Sequence, residues 1–201
     1  ELEIPADTKT LNDLPHFSGL KSLTLHDASA TLDLTVLGQM TTLQALDLSG
    51  CTLSQSMLEI IGTLPDLTSL NLSNCAIESV NPLVGLTKLT SLDLTNNTIS
   101  DITALSSMTE LQELHLTNNP IGSISYLNSC LKLEKLYIEN CGVSKLSSLA
   151  GNTSLSELYA SNNQISDISV LADCTALSVI DLCDNAVTDI SVLTNFPELV
   201  N

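Results

Sequence analysis

A leucine recurs along the chain at a nearly constant interval, and this regularity constrains the fold more than any other feature. The intervals between successive repeat starts are 23, 24 and then 22 residues five times. A unit of this length cannot bury its own apolar side chains, so neighbouring units must stack and share one core. The sequence therefore predicts a solenoid. Its eight repeats, numbered 1 to 8 from here on, start at Leu20, Leu43, Leu67, Leu89, Leu111, Leu133, Leu155 and Leu177.

Repeat 4 illustrates how each unit is built. With Leu89 as position 1, apolar residues occupy positions 4, 6, 11, 14, 17 and 20, and position 9 is Asn or Cys in repeats 2 to 8. The alternation over positions 3 to 7 is typical of a short strand, and the later spacing of three is typical of 3₁₀ turns. Stacked strands pair in parallel about 4.8 Å apart. The pattern predicts an α/β repeat fold, a right-handed solenoid with a parallel β-sheet on its concave face and turns with short 3₁₀ segments on its convex face.

The array also sets the expected domain boundaries. Residues 20–198 hold the eight repeats, residues 1–19 form a degenerate N-terminal repeat or cap fragment, and residues 199–201 begin a truncated ninth repeat. An uncapped solenoid end exposes apolar core and strand edges. We therefore expect a fragment of a longer chain or fraying of the last unit. The N-terminal residues that match the return half of a repeat are Leu11, Leu14 and Phe17.

Repeats 1 and 2 are longer than the others. Repeat 1 has one extra residue between Ala28 and Leu32, and repeat 2 has two extra residues in the segment 53–61. In that segment Ser54 precedes apolar residues at helical spacing, which predicts a capped helical turn on the convex side. We interpret both insertions as tolerated loop variation rather than as docking sites.

The repeat unit resembles the leucine-rich repeat. Its 22-residue length and the phrases Asn-Thr-Ile-Ser-Asp-Ile at 97–102 and Asn-Gln-Ile-Ser-Asp-Ile at 163–168 are similar to those of the internalin-type bacterial surface proteins. The length is also similar to that of phosphatase regulators built from 22-residue repeats. The resemblance implies a protein-interaction module on a bacterial cell surface, outside the cell. An intracellular, cytoplasmic scaffold or phosphatase regulator, and a structural spacer in a larger surface protein, remain open alternatives.

Charge and hydropathy exclude two classes of partner. The chain has 23 acidic residues and six basic residues, all of them lysine, and a net charge of −17. Without arginine there is no guanidinium group to bind phosphate or guanine, and the negative field repels polyanions. We therefore expect no nucleic-acid binding. Apolar stretches of a few residues are far shorter than the roughly 20 residues that cross a bilayer, so we expect no direct membrane insertion.

The residues that most often carry chemistry do not form a catalytic or metal-binding pattern. Five of the six cysteines take core positions 9 or 20, which predicts buried free thiols. Cys183 faces outward at position 7, but its expected neighbours Asp181 and Asp184 raise a thiol pKa. The three histidines do not have metal-ligand spacing. The sequence therefore predicts a protein that is not an enzyme, with no catalytic residue, metal or cofactor. The core cysteines are Cys51, Cys75, Cys130, Cys141 and Cys174.

One block of residues marks the candidate binding surface. Positions 3, 5 and 7 point outward from the concave sheet, and at position 5 His115, Tyr137 and Tyr159 follow on three adjacent strands. Tyrosine is enriched at interface hot spots, although stacked rings also stabilise neighbouring strands by roughly 0.2–1 kcal/mol per pair. The acidic rim favours a protein ligand of basic or mixed charge. The predicted ligand-binding residues also include the surrounding Glu113, Lys135, Glu139 and Glu157.

Overall fold

The computed structural model describes residues 1–28, 32–196 and 199. Within these residues, nine short parallel strands form one sheet whose strand order follows the chain. Each strand from the second onward starts at position 3 of its repeat, where the alternating pattern begins. The strands are β1 (Leu2–Ile4), β2 (Ser22–Leu25), β3 (Ala45–Asp47), β4 (Ser69–Asn71), β5 (Ser91–Asp93), β6 (Glu113–His115), β7 (Lys135–Tyr137), β8 (Glu157–Tyr159) and β9 (Val179–Asp181).

The register keeps every repeat in phase with its neighbours. Leu92 of β5 lies opposite Leu70 of β4 on one side and Leu114 of β6 on the other. Because side chains alternate along a strand, this pairing sends all position-4 leucines into the core and all position-5 residues to the concave surface. The predicted solenoid with a parallel concave sheet is confirmed.

The strands are shorter than the five positions predicted from the alternating pattern. β5 ends at Asp93, although the backbone N–H groups of Leu94 and Asn96 still donate to the carbonyl oxygens of His115 and Thr117, both at 2.9 Å. The extended backbone cannot continue past position 8, three residues after the end of β5, because the φ of Asn96 is positive.

A left-handed residue follows the strand in every repeat. Position 8 has φ between 51° and 73° in all eight repeats, and the residue there is always Asn, Asp or Gly. These residue types tolerate this conformation best. This turn was not predicted, although the restricted choice of residues at position 8 indicates it. The position-8 residues are Asp27, Gly50, Asn74, Asn96, Asn118, Asn140, Asn162 and Asp184.

Position 9 holds the turn together from inside. The Nδ2 group of Asn97 donates to the carbonyl oxygens of Leu72 at 2.9 Å and Leu94 at 2.8 Å. Its Oδ1 atom accepts from the backbone N–H groups of Cys75 at 3.1 Å and Ile77 at 2.9 Å. One side chain therefore satisfies backbone groups of two repeats that would otherwise be buried without partners, as the sequence predicts for an inward asparagine.

The convex side consists of 3₁₀ turns and one helix. Helix α1 (Gln55–Ile61) begins after Ser54, whose hydroxyl accepts from the N–H of Met57 at 3.3 Å, and it confirms the helical turn predicted in repeat 2. The other described units each have a 3₁₀ segment in this place. These segments are Leu14–His16, Thr35–Gln39, Asn81–Gly85, Thr103–Ser107, Ser125–Ser129, Ser147–Leu149, Ser169–Asp173 and Ser191–Asn195.

The N-terminal segment adds a strand and a turn to the array. Strand β1 pairs with β2, and Leu11 and Leu14 are buried. Phe17, which matches an apolar position of the return half in the sequence, is 52% exposed.

Parts of two expected features fall outside the described residues. Residues 29–31 lie within the insertion expected in repeat 1, and residues 200–201 belong to the expected ninth repeat. Of that ninth repeat, the structure describes Leu199, which packs against the core.

A single apolar cluster runs through the stack from Leu11 to Phe196. Position 20 is apolar in repeats 1 to 8 except in repeat 6, where Asn152 is 2% exposed. Its Oδ1 atom accepts from the N–H of Ser154 at 3.2 Å, and its Nδ2 group donates to the carbonyl oxygen of Cys130 at 3.4 Å. No helix in the described part of the chain is long and apolar enough to span a bilayer.

Candidate functional site

The parallel register determines which side chains meet on the concave face. Position 5 of β6, β7 and β8 carries His115, Tyr137 and Tyr159, which lie opposite one another on adjacent strands. The row continues to Asp93 on β5 and to Asp181 on β9. Three aromatic rings therefore stand between two aspartates in one line across the sheet.

The three rings form a continuous stack, which we call the aromatic stack. The ring centroids of His115 and Tyr137 are 4.0 Å apart with planes at 6°, and those of Tyr137 and Tyr159 are 4.7 Å apart with planes at 3°. These distances approach the strand spacing of about 4.8 Å, so the sheet itself holds the rings at stacking distance. The stack is half-buried, and it presents its outer part to solvent.

Charged residues brace the aromatic stack on its position-3 side. A carboxylate oxygen of Glu113 lies 2.9 Å from the Nε2 atom of His115, and the ammonium group of Lys135 lies 3.0 Å from a carboxylate oxygen of Glu157. The hydroxyl of Tyr159 donates to the other oxygen of Glu157 at 3.3 Å. These contacts restrict the rotamers of the rings and the charged residues together.

The seventh predicted residue lies on the position-7 side. Glu139 accepts a hydrogen bond from the hydroxyl of Thr117 on the neighbouring repeat. The structure thus brings all seven predicted residues together on three consecutive repeats. Their proximity was predicted from the repeat register, and their individual contacts were not.

The local environment favours the ordinary charge states of Lys135, Tyr137 and Tyr159 at neutral pH. The hydrogen bond and the charge of Glu157 raise the pKa of the Lys135 ammonium group. Burial, followed by the nearby carboxylate of Glu157, raises the pKa of the Tyr137 and Tyr159 hydroxyls. At neutral pH the site therefore presents a charged lysine and two neutral phenols that can donate hydrogen bonds.

A hollow lies beside the aromatic stack, over β2 to β6, and has a volume of about 290 Å³. It forms because position 3 is small in repeats 1 to 4, whereas position 3 is Glu or Lys in repeats 5 to 7. The acidic residues Asp47, Asp93 and Glu113 line it, and His115 of the stack forms its end over β6. The hollow was not predicted, although the small and acidic residues that line it are visible in the sequence. The small residues are Ser22, Ala45, Ser69 and Ser91.

The cysteines are structural. All six are free, and five are buried. Burial raises the pKa of Cys75 to about 12 and that of Cys141 to about 11, so these thiols stay protonated. The thiol of Cys141 donates to the carbonyl oxygen of Leu116 at 3.2 Å, in place of one asparagine bond of the other repeats. The positions predicted for these cysteines are confirmed.

Cys183 is the exposed cysteine, as predicted. A hydrogen bond and the charge of Asp181 raise the pKa of its thiol, which opposes thiolate formation at neutral pH. In the described residues, no group of three His, Cys, Asp or Glu side chains is arranged to hold a metal ion.

Two family models match the chain. The leucine-rich-repeat model of leucine-rich repeat and WD repeat-containing protein 1 matches residues 35–148, more than half of the chain. A model of two leucine-rich repeats matches residues 153–195. No curated protein sequence matches the chain significantly.

Solved structures with the same architecture include bacterial and plant proteins. An internalin, InlF, from Listeria monocytogenes is 30% identical with a TM-score of 0.88, over 95% of this chain and 56% of that chain. Internalin C2 from the same species is 32% identical with a TM-score of 0.66, over 96% of this chain and 74% of that chain. The ectodomain of the Arabidopsis thaliana receptor kinase GASSHO1/SCHENGEN3, in complex with CASPARIAN STRIP INTEGRITY FACTOR 2, shares the fold at 21% identity and a TM-score of 0.78, over 95% and 24% of the two chains.

This chain thus spans just over half the length of the InlF chain. The leucine-rich-repeat fold supports a protein–protein interaction module, and neither family model indicates a catalytic family. With its repeat period, its parallel sheet and these matches, the chain belongs to the leucine-rich-repeat family and carries an internalin-like repeat array.

Proposed function

We propose that the chain binds a protein partner through its concave face, with the aromatic stack at the centre of the contact. The main support is the stack itself, in which the centroids of neighbouring rings are 4.0 Å and 4.7 Å apart on a half-buried surface that faces solvent. Aromatic side chains that are already ordered lose little conformational entropy on binding and bury a large area. These are the properties of an interface hot spot.

Charge supports a partner that is basic or of mixed charge. The stack is surrounded by Glu113, Glu139 and Glu157, and the one nearby lysine, Lys135, is already paired with Glu157 at 3.0 Å. The whole chain has a net charge of −17. Long-range attraction between such a surface and a basic partner raises the association rate, and salt screens it. Association should therefore slow as the salt concentration rises.

We further propose display on a bacterial cell surface as the setting. The support is the likeness to Listeria internalins at 30% and 32% identity. The plant receptor ectodomain has the same fold and was solved in complex with CASPARIAN STRIP INTEGRITY FACTOR 2, which is an example of a ligand bound by this fold. The ligand of this chain is set by its own concave residues, which differ from repeat to repeat.

An intracellular scaffold is the second candidate. The six free cysteines, of which Cys183 is exposed, favour an intracellular setting. Free thiols persist in reducing compartments. Fractionation of the native cells, with an antibody raised against this chain, separates the two settings: signal at the outer surface supports display, and signal confined to the cytosol supports the scaffold.

The test of the binding site uses the three tyrosines of the chain. A partner is captured from candidate surface proteins with the wild-type chain, and its affinity is measured for Tyr137→Ala/Tyr159→Ala. We expect the double variant to lose about 2 kcal/mol or more of binding free energy, because both residues belong to the hot spot.

The matched control is Tyr126→Ala. Tyr126 is 42% exposed and lies in the 3₁₀ segment Ser125–Ser129, away from the concave sheet. This variant should bind like the wild type. Full affinity of the double variant, at an unchanged melting temperature, would place the contact elsewhere and leave the stack as a strand-stabilising feature.

A further inference from the structure

The aromatic stack has an open place next to it, over β5. We propose that this place receives a planar cation, the guanidinium group of an arginine on the protein partner. This inference rests on the proposed function, since it names the chemistry of the partner at the same concave face. It concerns Asp93 and His115, and the hot-spot test above concerns Tyr137 and Tyr159.

The row of rings at position 5 stops at β5. Strands β6, β7 and β8 each contribute one ring at position 5, and the rings follow one another at 4.0 Å and 4.7 Å. β5 contributes Asp93 at this position, directly opposite His115. An aspartate has no ring to continue the stack. Because Tyr137 covers one face of the His115 ring, the other face looks toward β5.

The concave face is open beside Asp93 and His115. The hollow of about 290 Å³ extends over β2 to β6, and both Asp93 and His115 line it. Ser69 and Ser91, which also line it, are small. The hollow therefore leaves open space for a planar group beside the imidazole ring and the Asp93 carboxylate.

The hollow offers a carboxylate beside an aromatic ring, Asp93 next to His115. Asp93 accepts one hydrogen bond, from the backbone N–H of Thr95 at 2.8 Å, and has no ion pair among the residues that the structure describes. A guanidinium group stacks flat on aromatic rings and donates paired hydrogen bonds to a carboxylate. An ammonium group is a compact point charge that donates hydrogen bonds to a carboxylate, but it neither stacks flat on a ring nor forms the paired fork. The ring face and the carboxylate together thus favour arginine over lysine.

The other end of the stack provides an internal comparison. Asp181 on β9 lies opposite Tyr159, so an aspartate also follows the last ring. The hollow is lined by residues of β2 to β6, at the Asp93 end. The inferred site is therefore specific to Asp93, and Asp181 is a control of the same residue type in the same row.

The experiment is an NMR titration with N-acetyl-arginine methylamide as the probe, at low ionic strength. We expect saturable shifts of the His115 ring and of the Ser91 and Asp93 amides, with a dissociation constant in the millimolar range that is typical of a single weakly held group. The citrulline analogue, which has the same shape without the charge, should produce no saturable shift. The lysine analogue should bind at least several-fold more weakly than the arginine probe.

Three variants locate the site. Asp93→Asn should weaken binding of the arginine probe about tenfold, and Asp181→Asn should leave it unchanged. Glu78→Gln, at an exposed position outside the concave sheet, removes one charge elsewhere and should also leave binding unchanged. Asp93→Asn keeps the fold, because Asn71 occupies the same position on β4 and accepts from the N–H of Ser73 at 3.0 Å.

Each other result overturns the inference. Equal loss in Asp93→Asn and Glu78→Gln would mean that the probe binds the acidic surface as a whole. Loss in Asp181→Asn alone would move the site to the opposite end, and equal binding of arginine and lysine would remove the role of the ring. If the probe fails while the captured partner still requires Tyr137 and Tyr159, the arginine site is wrong and the proposed function stands.

Discussion

Position 8 of each repeat requires a residue that tolerates a left-handed backbone conformation. All eight repeats place a residue with φ between 51° and 73° there. On one edge of the solenoid these residues also bond to one another. The Nδ2 group of Asn118 donates to the Oδ1 atom of Asn96 at 2.6 Å, and that of Asn140 donates to Asn118 at 2.9 Å. Asparagine thus serves both the backbone turn and a ladder between repeats.

Two substitutions at Asn118 separate these roles. Asn118→Ala removes the ladder bonds and leaves a β-carbon in the left-handed conformation without the local side-chain hydrogen bonds that let asparagine tolerate it, which costs roughly 1–2 kcal/mol. Asn118→Gly removes the same bonds but adopts a positive φ freely, as Gly50 does at position 8 of repeat 2. We therefore expect the alanine variant to be less stable than the glycine variant by about 1 kcal/mol in urea unfolding.

The control for this comparison is Ser100→Ala, at an exposed position without positive φ. Its stability should match that of the wild type. Equal stability of the alanine and glycine variants would show that the ladder, and not the backbone conformation, is what asparagine supplies at position 8.

Among the secondary-structure elements, helix α1 differs most from its neighbours on the convex side. It replaces a 3₁₀ segment with a wider helical turn, and it packs against the 3₁₀ segments before and after it. The helix ends at Gly62, where a β-carbon would lie 2.0 Å from the carbonyl oxygen of Pro82 in the next repeat. Glycine is required there by close approach, because its φ of −60° is ordinary.

Gly62→Ala therefore tests how tightly the helix is packed. The new methyl group meets backbone, which cannot move away as a side chain can, so we expect destabilisation of about 1–3 kcal/mol. Gly19→Ala is the control, since a β-carbon on Gly19 has no atom within 4 Å. Thermal unfolding measured by circular dichroism compares the two. A neutral Gly62→Ala would mean that repeats 2 and 3 can separate slightly at little cost.

The whole solenoid is a one-dimensional stack, so protection should depend on how many neighbours a repeat has. The position-4 residues of β5 to β7, such as Leu92 and Leu136, are 0% exposed, whereas β9 has neighbours on one side only in the described chain and Ile180 is partly buried. Amide exchange should be slowest over residues 89–136 and fastest from residue 177 onward. Native-state hydrogen exchange followed by mass spectrometry measures this directly, and uniform protection through β9 would contradict it.

The main features of this fold were predictable because the repeat is local in sequence. A fixed period places one strand in each repeat, and alternation at Leu92 and Leu94 decides which residues face the core. The same register predicts that His115, Tyr137 and Tyr159 lie side by side. Ser54 and the apolar spacing after it were enough to predict α1.

Other features depend on distances between repeats and had to come from the tertiary structure. The strand spacing brings the rings to stacking distance, and Lys135 forms its salt bridge with Glu157. The hollow beside Asp93 exists because small side chains from several repeats adjoin it. Phe17 matches an apolar position of the repeat pattern, yet it is 52% exposed. The sequence by itself determined which face each residue takes, since that follows from the period. Only the tertiary structure decided which side chains touch and which surface stays open, because these depend on the rotamers and neighbours that packing selects.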